Sequence, residues 1–279
     1  MCLSLVCEVN GPWQIRANVV CVPRANVMGF QMMLRLALPL VLAFGMPAQA
    51  VELNAMSDQE RADFQAEVRA YILENPEVIR EAILVLQQRE QDAEAQRDIA
   101  LAQANAGALF EDGHSFVGGN PDGDITIVEF MDYQCGFCKR ASPELATLLA
   151  TDSNVRFIVK EFPILGEPSV LASRYAIATK NLAGDAAYKD VHDTLMDFQG
   201  DITPDALSRL SEALVLDHDA IVAAMDSDEV TQVIAENRAL ATQLQITGTP
   251  TFVIEDQMLR GFVESDVMLQ IVAELRDQG

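Results

Sequence analysis

The junction at residues 125–138 constrains this chain most. A β-branched, apolar run, Ile125-Thr126-Ile127-Val128-Glu129-Phe130-Met131, is followed at once by Cys135-Gly136-Phe137-Cys138. The run suits a buried strand. Behind the cysteines, Leu145, Leu148 and Leu149 recur at helical spacing, and residues 155–162 read as a second strand. Strand, helix and strand in that order imply a parallel pair joined by a right-handed crossover. The first cysteine then sits at a helix N-terminus, where unpaired N–H groups and the helix dipole stabilise an anion.

The flanking sequence extends this unit. Residues 115–118 read as a short strand, and Gly118-Gly119-Asn120-Pro121-Asp122-Gly123 as a turn cluster. Residues 167–243 read as helices, one starting at Thr203-Pro204 and another capped by Asp217 or Asp219. Strand character returns at 251–254 and 258–262, and 264–275 is a closing helix. The order is β-α-β, a helical block, then β-β-α, an α/β class of fold.

Residues 56–108 are helical in pattern throughout. Ser57 with Glu60 spells a capping box, and Phe64, Val68, Tyr71 and Ile72 follow on one face. Asn75-Pro76 predicts a restart with Asn as N-cap, followed by the apolar face of Val78, Ile79, Ile83, Leu84 and Leu86. Residues 51–86 form a small helical unit and 87–108 a helical or flexible spacer. Two short amphipathic helices cannot bury their faces alone. Self-association is the expected solution; a hairpin docked on its own chain is the alternative.

Residues 1–50 are set apart. Residues 32–50 carry one cation, Arg35, an apolar stretch from Leu36 to Met46, and the ending Ala48-Gln49-Ala50. That is the layout of a secretory signal, with cleavage expected after Ala50. The start is expected at Met28, Met32 or Met33, with a long leader as the rival. Cleavage removes Cys2, Cys7 and Cys21 and leaves 51–279 with only Cys135 and Cys138. The full chain has 19 Lys+Arg against 42 Asp+Glu, a formal charge of −23. Nucleic acid is thereby excluded as a partner, since binding it needs cations to neutralise phosphates.

The C-x-x-C pair at a helix start carries redox chemistry. The thiolate of Cys135 is favoured, and Cys138, one turn on, is within reach to close a disulfide. Lys139 and Arg140 add local positive charge. A structural zinc site lacks ligands, since only His114, His192 and His218 accompany the two cysteines. Haem attachment needs a His where Lys139 stands. A structural disulfide closing so small a loop would stabilise little. Two thiolates can also hold Cu(I), so Cys135 and Cys138 are kept as a secondary copper reading. The three histidines are read as surface or structural.

The segments 127–139, Ile246-Thr247-Gly248-Thr249-Pro250-Thr251-Phe252 and Glu161-Phe162-Pro163-Ile164-Leu165-Gly166 resemble the exported DsbA-like thiol:disulfide oxidoreductases of the thioredoxin superfamily. The resemblance covers about 109–279. It implies a thioredoxin fold with an inserted helical domain at about 167–243, preceded by an N-terminal helical segment at 51–108. It implies that Cys135 is the nucleophile, that Cys138 resolves the mixed disulfide, and that Pro250 is a cis-proline facing them. Thr249 then pairs with an extended client chain, and Phe137 is a further candidate substrate contact. Glu129 stands where the family often has a buried acid that relays the proton of Cys138; a strand-edge glutamate facing solvent is the alternative.

Gly136-Phe137 supplies no charge, unlike the Pro-His pair of the most oxidising members, so a less acidic thiol and a less oxidising disulfide are expected. A Thr before the proline looks more like the isomerases. Residues 64–79 resemble the N-terminal segment of suppressor-of-copper-sensitivity protein C, a group that includes trimers. Together these imply a periplasmic, homo-oligomeric enzyme, a trimer, with no cofactor beyond the redox-active Cys135–Cys138 disulfide. Its partners would be unfolded or misdisulfided exported proteins and a membrane redox partner. The alternatives are a monomeric dithiol oxidase and a periplasmic Cu(I)-binding protein.

Overall fold

A computed structural model of the protein describes residues 56–278, in two units that divide between Phe64 and Gln65. The leader and its expected cleavage after Ala50 lie outside the described residues. In the first unit, residues 56–64 open helix α1 (Asp58–Glu74). The capping box is formed: Ser57 N–H donates to Glu60 Oε2 at 2.8 Å, and Glu60 N–H to Ser57 Oγ at 3.4 Å.

The second unit runs, in order, α2 (Glu77–Ala104), α3 (Ala106–Phe110), β1 (Phe116–Gly119), β2 (Ile125–Met131), α4 (Gly136–Thr151), β3 (Val155–Glu161), α5 (Glu167–Asp197), α6 (Pro204–Leu214), α7 (His218–Ala224), α8 (Asp228–Gln243), β4 (Thr251–Ile254), β5 (Gln257–Arg260) and α9 (Ser265–Gln278). Among the described residues, no helix is long and apolar enough to cross a membrane.

The strands form one sheet in the order β1-β3-β2-β4-β5. Strands β2 and β3 are parallel, with Met131 opposite Glu161, and every other pairing is antiparallel. Both faces of the sheet are covered, which is why β2 reads as a continuous apolar run rather than an alternating one. Alternation still decides which face each residue serves. Ile127, Met131, Phe157, Val159, Phe252 and Ile254 pack with α4, α5 and α9 on one side. Val128, Phe130, Ile158 and Val253 pack with Leu109, Leu240 and Leu244 on the other.

The helical block is α5 to α8, with α5 kinked at Gly184 (φ 85°). Thr203 Oγ1 accepts from Ala206 N–H at 3.2 Å and Asp217 Oδ1 from Ala220 N–H at 3.1 Å, so Asp217 rather than Asp219 is the cap. The Asn75-Pro76 break is present, but Asn75 does not cap α2. Its Nδ2 donates back to Tyr71 O at 2.9 Å, closing α1, and Pro76 occupies the cap position without a side-chain hydrogen bond.

Residues 87–104 are helical, and after a turn at Asn105 residues 106–108 open α3. Helix α2 continues unbroken through the polar stretch, and its last turns dock on the sheet. Asp98 and Ala102 are buried there, and Arg260 of β5 grips Asp98 with two N–H donors. Helix α3 then seats Leu109 fully inside the second core. We expect Leu109→Ala to cost about 2–5 kcal/mol of stability in urea unfolding. A change within error would mean that the segment before β1 is not part of the fold.

Candidate active site

The site grows from the end of β2. Asp132 turns the chain there: its Oδ1 accepts Gln134 N–H at 2.8 Å, and its carbonyl accepts Cys135 N–H at 3.0 Å. Its Oδ2 accepts Ile164 and Leu165 N–H at 2.8 and 3.0 Å. One carboxylate thus joins the cysteine turn to the loop after β3. Helix α4 starts at the next residue, with Cys135 in the N-cap position.

Cys135 and Cys138 are both free thiols, Cys135 at the rim and Cys138 fully enclosed. The Thr249–Pro250 peptide bond is cis, and Cys135 Sγ–H donates to Thr249 O at 3.1 Å. The four residues Cys135, Cys138, Thr249 and Pro250 are therefore brought together. Phe137 stands over half exposed (55%) between the cysteines.

The two thiols differ in acidity. Cys135 is lowered to about 5 from an ordinary 9.0, chiefly by the hydrogen bond it receives from Cys138. Partial burial opposes this; the Thr249 side chain and the N–H groups of Cys138 and Phe137 assist. Cys138 is pushed far up by that same hydrogen bond, by burial and by the charge of Glu129. No charged residue between the cysteines is needed for the contrast.

Glu129 is buried, not a solvent-facing edge residue. Strand alternation sends it to the α4 side of the sheet, with Ile127 and Met131. Burial first, then the Cys135 and Glu161 charges, push it up to about 8, and its Oε1 has no hydrogen-bond partner among the described residues. Of the two cations after the cysteines, Lys139 donates to Phe198 O in the helical block.

A second buried acid lies at the same end of the sheet. Glu161 Oε1 accepts from Tyr133 Oη at 2.7 Å and Tyr188 Oη at 2.6 Å, and Oε2 from Ser173 Oγ at 2.7 Å. Tyr133 Oη also meets His192 Nδ1 at 3.1 Å. Burial raises Glu161 to about 7 against those three hydroxyls and lowers His192 to about 4. Sequence reasoning did not single out Tyr133 or Glu161 as site residues; the signal available was that Glu161 falls on the same strand face as Val159 and Phe157. Beside the loop at 163–166 opens a cavity of about 1020 Å³ lined by Ile164, Val170, Leu171, Leu207, Val222 and Met225 among others.

A five-stranded sheet with this inserted helical block, and a C-x-x-C helix start against a cis-proline, define a thioredoxin-like fold of the DsbA type. The chain matches the DSBA-like thioredoxin domain over residues 126–273, and residues 60–93 match the copper resistance protein ScsC N-terminal domain. The protein belongs to the DSBA-like thioredoxin family.

Among solved structures it is 39% identical to a thioredoxin-like oxidoreductase from Silicibacter pomeroyi DSS-3, covering 62% of this chain and 98% of that one, with a TM-score of 0.59. It is 27% identical to Proteus mirabilis ScsC in a transitional conformation, covering 81% and 99%, with a TM-score of 0.59. Among curated relatives it is 28% identical over 174 residues to the Na(+)/H(+) antiporter NhaA 3 of Salinispora tropica, 61% of this chain and 26% of that protein. The chain thus spans about a quarter of the length of the antiporter it matches.

Two expectations follow. Alkylation of the reduced protein by iodoacetamide should report one reactive thiol with a midpoint near pH 5, and Cys138→Ala should move that midpoint up by removing the donor. An unmoved midpoint would refute the thiol–thiol hydrogen bond as its cause. For Glu129, a pKa raised from 4.5 to about 8 means that its contribution to stability is fully present below 4.5 and is lost as pH rises to about 8. Glu129→Gln should therefore gain on the parent across that window, by at most about 1.4 kcal/mol per pH unit, measured by urea unfolding. A pH-independent difference would place Glu129 in contact with water.

Proposed function

We propose that this protein is an exported thiol:disulfide oxidoreductase acting in the periplasm on the disulfides of other exported proteins, as an oligomeric isomerase or reductant. The observation that carries this reading is the opposed acidity of two thiols one helical turn apart, beside the Thr249 carbonyl.

In the reductive direction, the Cys135 thiolate attacks one sulfur of a client disulfide. A Cys135–client bond forms, the client S–S bond breaks, and the other client sulfur leaves as a thiolate. In isomerisation that thiolate, or another in the client, attacks the client sulfur of the mixed disulfide and frees Cys135 unchanged. In net reduction, Cys138 gives its proton to the Glu129 carboxylate and attacks Cys135 Sγ. The client leaves as a dithiol, one sulfur taking the proton held by Glu129 and the other a proton from water, and the protein holds a Cys135–Cys138 disulfide. A partner dithiol, assigned here to a membrane redox partner, supplies two electrons and two protons, of which one stays on Cys138 and one returns to water, restoring the Cys135 thiolate. No other cofactor enters.

Three further observations support the client class and the assembly. Thr249 offers backbone at the sulfur, so an extended chain can add to it as a strand does. The apolar cavity beside Ile164 suits side chains that a folded protein would hide. Val68, Tyr71, Ile79, Ile83 and Leu86 are exposed along α1 and α2, more apolar surface than a lone soluble unit ordinarily leaves open. A second and third copy are the expected cover, consistent with the ScsC N-terminal match.

The test is reactivation of a scrambled-disulfide enzyme. The chain from residue 51 should restore activity, and Cys135→Ser should abolish it. Fast oxidation of a reduced client without reactivation would make the protein a dithiol oxidase instead, and exchange retained by Cys135→Ser would overturn the assignment of the nucleophile.

A further inference from the structure

We propose that Arg140 is a specificity-determining residue: its guanidinium, within cation–π distance of the Phe137 and Phe262 rings, docks a carboxylate flanking the cysteine of the client, so the site prefers acidic client segments. The proposal deepens the exchange reading and rests on it.

The guanidinium carbon of Arg140 lies 4.6 Å from the centroid of the Phe262 ring and 5.4 Å from that of Phe137. Both distances are within cation–π range. The rings come from different elements. Phe137 lies in the first turn of α4, between the two cysteines, and Phe262 on the loop from β5 to α9. A surface arginine ordinarily spreads over many rotamers, and ordering it costs entropy. Two aromatic rings lie within reach of this one and narrow that spread, two residues past Cys138 on the helix that carries the nucleophile.

The contact leaves the chemistry of the group intact. A cation–π contact does not use up the N–H donors of a guanidinium, which lie in its plane and match a carboxylate in a two-pronged fashion. Among the described residues those donors have no acceptor, although acids outnumber bases 42 to 19 in the chain. Most other cations of the domain are committed, Arg209 of α6 being, like Arg140, without an acceptor among the described residues. Arg260 and Arg276 are paired with Asp98 and with Asp124 and Asp152. Arg156 and Arg238 are bound to the carbonyls of Phe110 and Pro163. Lys139, the neighbour of Arg140, is turned to Phe198 O. A cation without an acceptor among the described residues thus stands beside Phe137 at the rim of the site, where a client disulfide reaches Cys135.

The test uses the purified, reduced protein and three short peptides. Each carries one cysteine as a mixed disulfide with a chromogenic thiol, flanked on both sides by Glu, Gln or Lys. Rates of thiol release are compared as ratios within each protein, so that a general loss of activity cancels. The Glu-to-Lys ratio should fall about five-fold in Arg140→Gln, the scale of one exposed ion pair, and further in Arg140→Glu. Salt at about 1 M should remove the difference between parent and variant.

An unchanged ratio in Arg140→Gln overturns the proposal. So does an equal slowing of all three peptides, which would make Arg140 only a support for Phe137. If the parent exchanges with none of the peptides, the neutral one included, the exchange reading itself fails. If it exchanges with the Gln peptide and shows no charge preference, only the role of Arg140 does.

Discussion

The opposed acidity of the two cysteines at the start of α4 is the constraint on which the rest of the site depends. One sulfur is enclosed and the other lies at the rim, which favours a thiolate at Cys135 and a thiol at Cys138. That asymmetry needs the helix to begin at Cys135 and nowhere else. Asp132 enforces the start: its carboxylate takes the N–H of Gln134 on one side and those of Ile164 and Leu165 on the other. A buried carboxylate with three N–H donors loses little of what water would give it. The turn that presents the nucleophile is consequently fixed to the entry of the helical block, not left to the flexibility of a loop.

Two further acids, Glu129 and Glu161, share the α4 side of adjacent strands, and their surroundings separate them. Glu161 receives three hydroxyl donors, which favour its charged form against the cost of burial. Glu129 has an oxygen with no donor among the described residues, and burial, the first cause of its shift, leaves it the more basic of the two. Two neighbouring carboxyls also disfavour each other's charge. The network around Glu161, with Tyr133 two residues before the nucleophile, is therefore the fixed part of the polar interior. Glu129 is the part able to gain and lose a proton without breaking a set of hydrogen bonds.

Much of this was legible in the sequence. The β-branched run before Cys135 fixed strand, helix and crossover, and the Thr249-Pro250 pair pointed to the residue that meets the nucleophile. The face taken by Glu129 follows from counting by twos along β2. Other features depend on contacts that no local pattern records. Tyr133 and His192 are 59 residues apart and meet only because α5 folds back over the sheet. Asn75 reads as the cap of the next helix, yet its amide reaches the carbonyl of Tyr71 four residues back, and either bond is local and sterically available. The polar stretch after residue 87 resembles a spacer because only one side of α2 meets the sheet, and Asp98 is held there by Arg260, far away in sequence.

That continuity of α2 has a mechanical consequence. An α-helix rises about 1.5 Å per residue, so Leu86, at the end of the exposed apolar stripe, lies about 18 Å along the axis from Asp98, where the helix docks on β5. Had residues 87–98 been a flexible linker, the stripe would have taken every orientation relative to the sheet at little cost. A helix anchored at one end by an ion pair whose carboxylate is buried instead behaves as a strut. Whatever covers Ile79, Ile83 and Leu86 is held away from the sheet, and the space beside Cys135 stays open to a chain bulkier than a small thiol. The apolar stripe and the redox site are separated by design of the same helix, and the Asp98–Arg260 pair is the point at which that separation is fixed.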